Sequence, residues 1–168
     1  PKIGVLYQYD DFGKEMLSGL SDGLGSNAAA IVASESFTPT DPTIDSQIVT
    51  LKGSKADVFV NISTPKFAAQ AIRKVSDVGW KATHYVANVG SSVGAVLIPA
   101  GLERAKGLMT TQYLKDPNDK AWDNDPGMQE YKAFLKSDFP EGNVKDTINA
   151  YAFVTAQTLI QVLKPVSY

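Results

Sequence analysis

The sequence has no cysteine and a single histidine, His84. The first absence excludes disulfides, cysteine zinc sites and thiol nucleophiles. The second leaves no histidine cluster for a metal and no histidine-based triad elsewhere in the chain. Excess charge of either sign is also lacking: the formal net charge is −2 over 168 residues, and the charges are dispersed. That argues against a nucleic-acid binder, which presents a basic face, and against polybasic attachment to a membrane. No apolar run approaches the length of a membrane span, and there is no signal peptide. Pro1 leads straight into a strand pattern and the chain stops just after a helix, at Lys164–Tyr168. Both ends are therefore expected to be cuts within a longer protein.

What is present is a globular composition, 43% hydrophobic and 20% charged, arranged as alternating strands and helices. Lys2–Tyr7 is a short apolar run of the buried-strand kind. The polar stretch Gln8–Gly13 follows, then a helix with Met16, Leu17, Leu20 and Leu24 on one face, closed by Gly23 and Gly25. Ala28–Ser36 is expected to be a second strand. Asp41 followed by Pro42 predicts a capped helix start, with Ile44, Ile48 and Leu51 recurring up to Gly53. Ala56–Ile62 predicts the third strand. Thr64-Pro65 repeats the cap-plus-proline signal before Phe67, Ala68, Ala71, Ile72 and Val75, with Gly79 at the end. His84–Ala87 and Gly107–Thr111 predict a fourth and a fifth strand, and Val93–Ile98 fits a short helix.

Residues 113–125 are polar and without period. Asp125-Pro126 predicts a helix to about Phe139. Asp146 caps a long helix whose apolar face is Ile148, Tyr151, Ala152, Thr155, Leu159, Val162 and Leu163. The fold class is thus α/β, an open parallel sheet with helices on both faces over residues 1–111, plus a C-terminal helical segment over 112–168. Two helices cannot bury these faces alone. They are expected to pack on a neighbouring chain, as self-association or an exchange of the C-terminal helices.

In an open parallel sheet ligands bind beyond the carboxyl ends of the strands, which selects the turns Gln8–Gly13, Asn61–Lys66 and Asn88–Ser92. Asp10 and Asp11 would suit Mg²⁺ only with a further acid at the end of the third strand. Asn61 stands there and Asp57 lies at the wrong end, so the two acids are read as caps of the next helix. The glycines Gly19, Gly23 and Gly25 close a helix instead of following the first strand, so there is no phosphate loop. Ser91 and Ser92 lack the Gly-x-Ser-x-Gly frame of a hydrolase nucleophile. No metal and no cofactor are called for, and no catalytic residue can be assigned. What remains is aromatic cover from Tyr9 and Phe12, and neutral hydrogen-bonding groups on Ser63, Thr64, Asn88 and Ser91. With free helix amides these suit a carboxylate. Plainer roles compete: Phe12 as a staple for its helix, Thr64 as an N-cap, Asn88 as a turn former.

The stretches KIGVLYQYDDFGKEMLSGLSDGLG, TDPTIDSQIVTLKGSKADVFVNISTPKFAAQAIRKVSDVGW and GLERAKGLMTTQYLKDP resemble the type I periplasmic binding proteins, specifically the branched-chain amino acid and aromatic acid receptors of ABC importers. The resemblance implies a non-enzymatic, extracytoplasmic solute receptor with two α/β lobes that close on a small carboxylate-bearing ligand, and a membrane permease as partner. It implies that residues 1–111 are the second lobe. Residues 112–168 would then be a hinge crossing and helices of the first lobe. It places an aromatic ligand contact on Phe12 beside Tyr9, and others at Ser63, Thr64 and Pro65 and at Asn88, Val89 and Ser91. Amino-acid receptors of this kind often carry an acid in the last of these turns. Ala87-Asn88-Val89-Gly90-Ser91 has none, which favours a carboxylate ligand without an amine. A ligand-sensing lobe of a regulator is the alternative on the same fold, and an α/β enzyme such as a hydrolase is the third reading.

Overall fold

The structure, a computed structural model, describes residues 1–164. The expected C-terminal cut involves residues 165–168, which lie outside the described part. The chain forms two compact units: Pro1–Ser91 with Val96–Thr111, and Ser92–Ala95 with the chain from Gln112 on.

The first unit is a four-stranded parallel sheet in the order β2-β1-β3-β4. Its elements are β1 (Ile3–Gln8), α1 (Asp11–Leu24), β2 (Ile31–Phe37), α2 (Asp45–Gly53), β3 (Val58–Ile62), α3 (Pro65–Asp77) and β4 (Thr83–Val86). Successive side chains along a strand alternate between faces, and the sequence uses this to build two cores. On one face Leu6, Phe37 and Phe59 pack with Ile44 just before α2, with Ile48 and Leu51 of α2, and with Phe67, Ala71 and Val75 of α3. Phe59 lies between Trp80 and His84, with ring centroids at 4.9 and 4.5 Å. Trp80 Nε1 donates to the Ala56 carbonyl at 3.0 Å, so its one polar atom is satisfied inside this core. On the other face Ile3, Val5 and Ile62 pack against Phe12, Leu17, Leu20 and Leu24 of α1.

α1 covers that second face incompletely and leaves an apolar groove of about 400 Å³ beside it, lined by Met16, Leu20, Val60, Ile62 and Tyr85 among others. Met16, expected to be buried with the leucines, is therefore exposed. Helix α3 ends as expected: Gly79 takes φ 62°, a left-handed conformation that a residue with a Cβ adopts only at a cost.

Several expectations are corrected. β2 begins at Ile31, because Gly25–Ala30 continues past α1 as a 3₁₀ turn. Asp41 does not cap α2. Its carboxylate turns back to accept from the Thr38 amide at 2.8 Å and hydroxyl at 3.0 Å, closing the 38–41 turn, and α2 starts only at Asp45. The fifth strand reduces to one bridge, Met109 beside Tyr85, since β4 offers just four residues to pair with. Val93–Leu97 is a turn of π-helix that runs into the short α4 (Ile98–Ala100).

The second unit holds α5 (Pro126–Asp138) and α6 (Thr147–Leu163). Both start where the sequence places them. Asp125 accepts from the Met128 amide at 3.1 Å with Pro126 at the first helical position, and Asp146 accepts from the Ile148 amide at 3.0 Å. Met128, Tyr131 and Leu135 pack with Ala150 and Phe153. The expected apolar face of α6 is not the one used: Ile148, Tyr151, Leu159, Val162 and Leu163 are all exposed. Among the described residues no helix is long and apolar enough to cross a membrane.

Candidate functional site

The carboxyl ends of β1, β3 and β4 bring together three turns of the first unit. The turn after β1 is fixed by Gln8 and Asp10. Gln8 is buried at the end of its strand, and its side-chain amide bridges two turns. Nε2 donates to Asp10 Oδ2, and Oε1 accepts from the Thr64 hydroxyl at 2.8 Å. Asp10 in turn caps α1, its Oδ1 accepting from the Gly13 amide at 3.0 Å. Both carboxylate oxygens are thus occupied. The Gly13 amide, and secondarily the Gln8 amide, hold the Asp10 pKa below the ordinary aspartate value. This confirms the capping role expected of Asp10. Among the described residues no group of acids and histidine is placed to hold a metal ion.

Tyr9 is the most open of the expected contacts, 56% exposed, with Lys14 Nζ 4.0 Å from its ring centroid. Phe12 is half-buried and packs against the Ile3–Val5–Ile62 core, so part of its ring acts as the staple considered above. Ser63 is fully buried, and its hydroxyl finds no protein partner. Thr64 is the N-cap of α3 by position, yet its hydroxyl points to Gln8 and makes no cap hydrogen bond. Pro65, at the first helical position, has no amide hydrogen to cap, and the Lys66 amide behind it is left open. Asn88 opens a 3₁₀ turn, Asn88–Gly90, and its carbonyl accepts from the Ser91 hydroxyl at 2.7 Å. Val89 is half-buried and Ser91 buried. Gly90 is pressed onto the turn after β3 and onto α3: a Cβ there would lie 2.9 Å from Ala68 Cβ and 3.0 Å from the Ser63 carbonyl. The turns after β1 and β3 are therefore joined by hydrogen bonds, and the 88–91 turn is packed against the second of them.

Sequence reasoning overlooked Gln8, whose signal was a polar residue closing an apolar strand. It also overlooked Lys14 and Lys66. Each lies in the first turn of a helix, where the dipole disfavours a cation by about 0.3–1 kcal/mol. Lys66 Nζ sits 4.6 Å from the Phe67 ring centroid. Beneath the turns Asn61 and His84 lie in van der Waals and polar contact, Asn61 Nδ2 to His84 Nε2 at 3.4 Å. Burial pushes the His84 pKa from 6.5 down to about 3, so the ring is neutral. No nucleophile with an activating base appears among these groups.

Replacing Gln8 by leucine keeps its volume and removes both links. The expected cost is about 1–3 kcal/mol, because the Thr64 hydroxyl is stranded and Asp10 loses a donor. Urea unfolding measures it. Thr64→Val added to Gln8→Leu should cost less than the sum of the two single changes, since both break one connection.

Known proteins share this fold. The family described as periplasmic binding protein matches residues 1–166. A substrate-binding periplasmic protein from Ralstonia solanacearum superposes with a TM-score of 0.72 at 24% identity, over 81% of this chain and 37% of its own. An extracellular ligand-binding receptor from Verminephrobacter eiseniae superposes at 0.77 and 19% identity, over 97% of this chain and 45% of its own. A fatty acid ABC transporter substrate-binding protein from Thermomonospora curvata gives 0.67 at 20% identity, over 82% of this chain and 34% of its own. At these identities the likeness shows the fold, and the chain spans less than half the length of each of the three. No curated protein matches the sequence.

Proposed function

The chain belongs to the periplasmic binding protein family, and on that premise we propose that it is part of a non-enzymatic, extracytoplasmic solute receptor serving an ABC importer. It takes a small carboxylate-bearing solute, an amino acid or an aromatic acid, at the strand-end turns of the first unit. The observation that carries this reading is the Gln8 bridge: Thr64 and Asp10 both bond to one buried amide. That leaves the start of α3 uncapped and open to an anion, beside the exposed ring of Tyr9. The substrate-binding and ligand-binding descriptions of the similar structures support it, and the Thermomonospora protein's fatty acid is itself a carboxylate.

Ligand contacts are assigned to Tyr9, Phe12, Thr64, Pro65, Asn88 and Val89. Ser63 and Ser91 are buried and take part by shaping the turns that carry these side chains. Residues 1–111 are assigned to the second lobe of the longer protein. Residues 112–168 are assigned to a hinge crossing and to helices of the first lobe. The exposed apolar side chains of α6 support self-association of this chain in isolation, with its C-terminal helices exchanged or paired.

Thermal unfolding in the presence of amino acids, aromatic acids, dicarboxylates, sugars and nucleotides tests the proposal. A ligand at a hundred times its dissociation constant adds about 2.7 kcal/mol. Stabilisation by carboxylates, with the compound recovered unchanged, is the expected result. Consumption of a compound would replace the receptor reading with an enzyme.

A further inference from the structure

The sheet of the first unit is covered unequally. On one face two helices, α2 and α3, pack over Leu6, Phe37 and Phe59. On the other, among the described residues, α1 packs alone. We infer that the apolar groove beside α1 receives helix α6 of a second copy of this chain, and that two copies exchange these helices reciprocally. This rests on the self-association proposed above and deepens it, by naming the surface that α6 meets.

The groove has the width of one helix. It is lined by Met16 and Leu20 of α1, Val60 and Ile62 of β3, and Tyr85 of β4, and it reaches Thr110. From β3 across β4 to the bridge at Met109 there are two strand spacings, about 10 Å. A helix with its side chains is about 10 Å across. Parallel sheets are covered on both faces, yet here Met16 and Tyr85 stay 41% and 43% exposed. Glu15 is the one charged residue along the groove.

Helix α6 supplies the complement. Thr147–Leu163 contains no charged side chain. Ala150 and Phe153 turn toward α5. At 3.6 residues per turn, Ile148, Thr155, Leu159 and Val162 leave from the opposite side. Leu159 and Val162 are 58% and 62% exposed there. The 17 residues of α6 extend about 25 Å, against about 16 Å for the five residues of β3, so the stripe spans the groove from end to end. An uncharged stripe meets an apolar groove with no buried charge to compensate. Every copy carries both surfaces. Pairing α6 with α6 would hide the stripe and leave the groove in water. Reciprocal exchange hides both, and its two-fold symmetry closes the assembly at a dimer.

Sedimentation equilibrium of the full chain tests this, and the parent is expected to be a dimer. Met16→Glu in the groove and Leu159→Glu on α6 each put a charge into an apolar contact that occurs twice per dimer. Either change should raise the dimer dissociation constant about a hundredfold. Both positions are exposed, so the circular dichroism of the variants should match the parent. Val49→Glu, on an exposed part of α2, is the control and should dimerise as the parent does. The chain has no cysteine, so introduced cysteines report the partner. Met16→Cys mixed with Leu159→Cys and a flexible bismaleimide should yield crosslinked pairs of unlike copies. Parental dimerisation by Met16→Glu, or Leu159→Cys crosslinking to itself in preference to Met16→Cys, would overturn the inference and leave self-association standing. A monomeric parent would overturn both, and would leave the groove to another part of a longer polypeptide.

Discussion

Replacing Gly13 with alanine is expected to unfold the first unit. Helix propensity alone forecasts the opposite, because alanine is favoured over glycine within a helix by about 1 kcal/mol. The reversal comes from how α1 leaves β1. A Cβ on residue 13 would lie 1.9 Å from the Gln8 carbonyl oxygen, 2.8 Å from its carbonyl carbon and 2.9 Å from its nitrogen. These are backbone atoms of a strand paired on both sides, and the Gln8 side chain is itself tied to Asp10 and Thr64. No rotamer change relieves the overlap. The helix start must move, which breaks the Asp10 cap and lifts Phe12 and Leu17 from their core. A loss of more than about 4 kcal/mol follows, in the range reserved for gross steric conflict. Gly19→Ala is the control on the same helix. A Cβ on residue 19 would meet nothing within 4 Å, and a gain of about 1 kcal/mol is expected there. Urea titrations of both variants followed by circular dichroism compare them directly. A Gly13→Ala protein with a parental midpoint would mean that the turn after β1 is built differently.

Acidification gives the second large effect, through His84. In the folded chain its pKa falls from 6.5 to about 3 by burial, so the ring stays neutral where the unfolded chain takes up a proton. The unfolded state therefore binds more protons between these two values. Stability from this group is complete above about pH 6.5 and is lost as pH falls towards 3, at about 1.4 kcal/mol per pH unit. By pH 4 the deficit reaches about 3 kcal/mol. Asp10 and Asp45 have lowered pKa values, Asp10 through the Gly13 amide and Asp45 through Lys74, and both add a loss of the same sign at still lower pH. His84→Gln separates the contributions, since it can still bond to Asn61 and does not titrate. Its stability should be nearly flat between pH 6.5 and 4.5, whatever its level at pH 7. A slope equal to that of the parent would show that His84 is not the source.

Why some of this was legible in the sequence and some was not follows from the range of the forces involved. The strands β1 and β3 and the helix α3 could be read because their patterns are local: a continuous apolar run, and the Thr64-Pro65 start with Phe67, Ala71 and Val75 one turn apart. Asp41 misled because a carboxylate before proline serves a backward turn as readily as a forward helix, and Thr38 decided between them. Gly107–Thr111 misled because a strand exists only if a neighbour is long enough to pair with it. The apolar face of α6 was read correctly as apolar. Which stripe meets α5 depends on Tyr131 and Phe134 across the unit, which no periodicity within α6 reports. At the candidate site Tyr9, Thr64 and Asn88 were selected by the rule that ligands lie beyond strand ends. Gln8 and Lys14 were missed, since their meaning lies in contacts with Thr64 and Tyr9 that only the folded chain creates.

The central claim, that this chain receives a solute at the strand-end turns, is tested most directly by mapping where ligand touches it. Backbone amide shifts would be recorded while the best stabilising compound of the thermal panel is added. The account predicts saturable shifts concentrated in residues 8–14, 63–66 and 88–91, with the compound unaltered at the end. Shifts confined to α5 and α6, or chemical conversion of the compound, would contradict it.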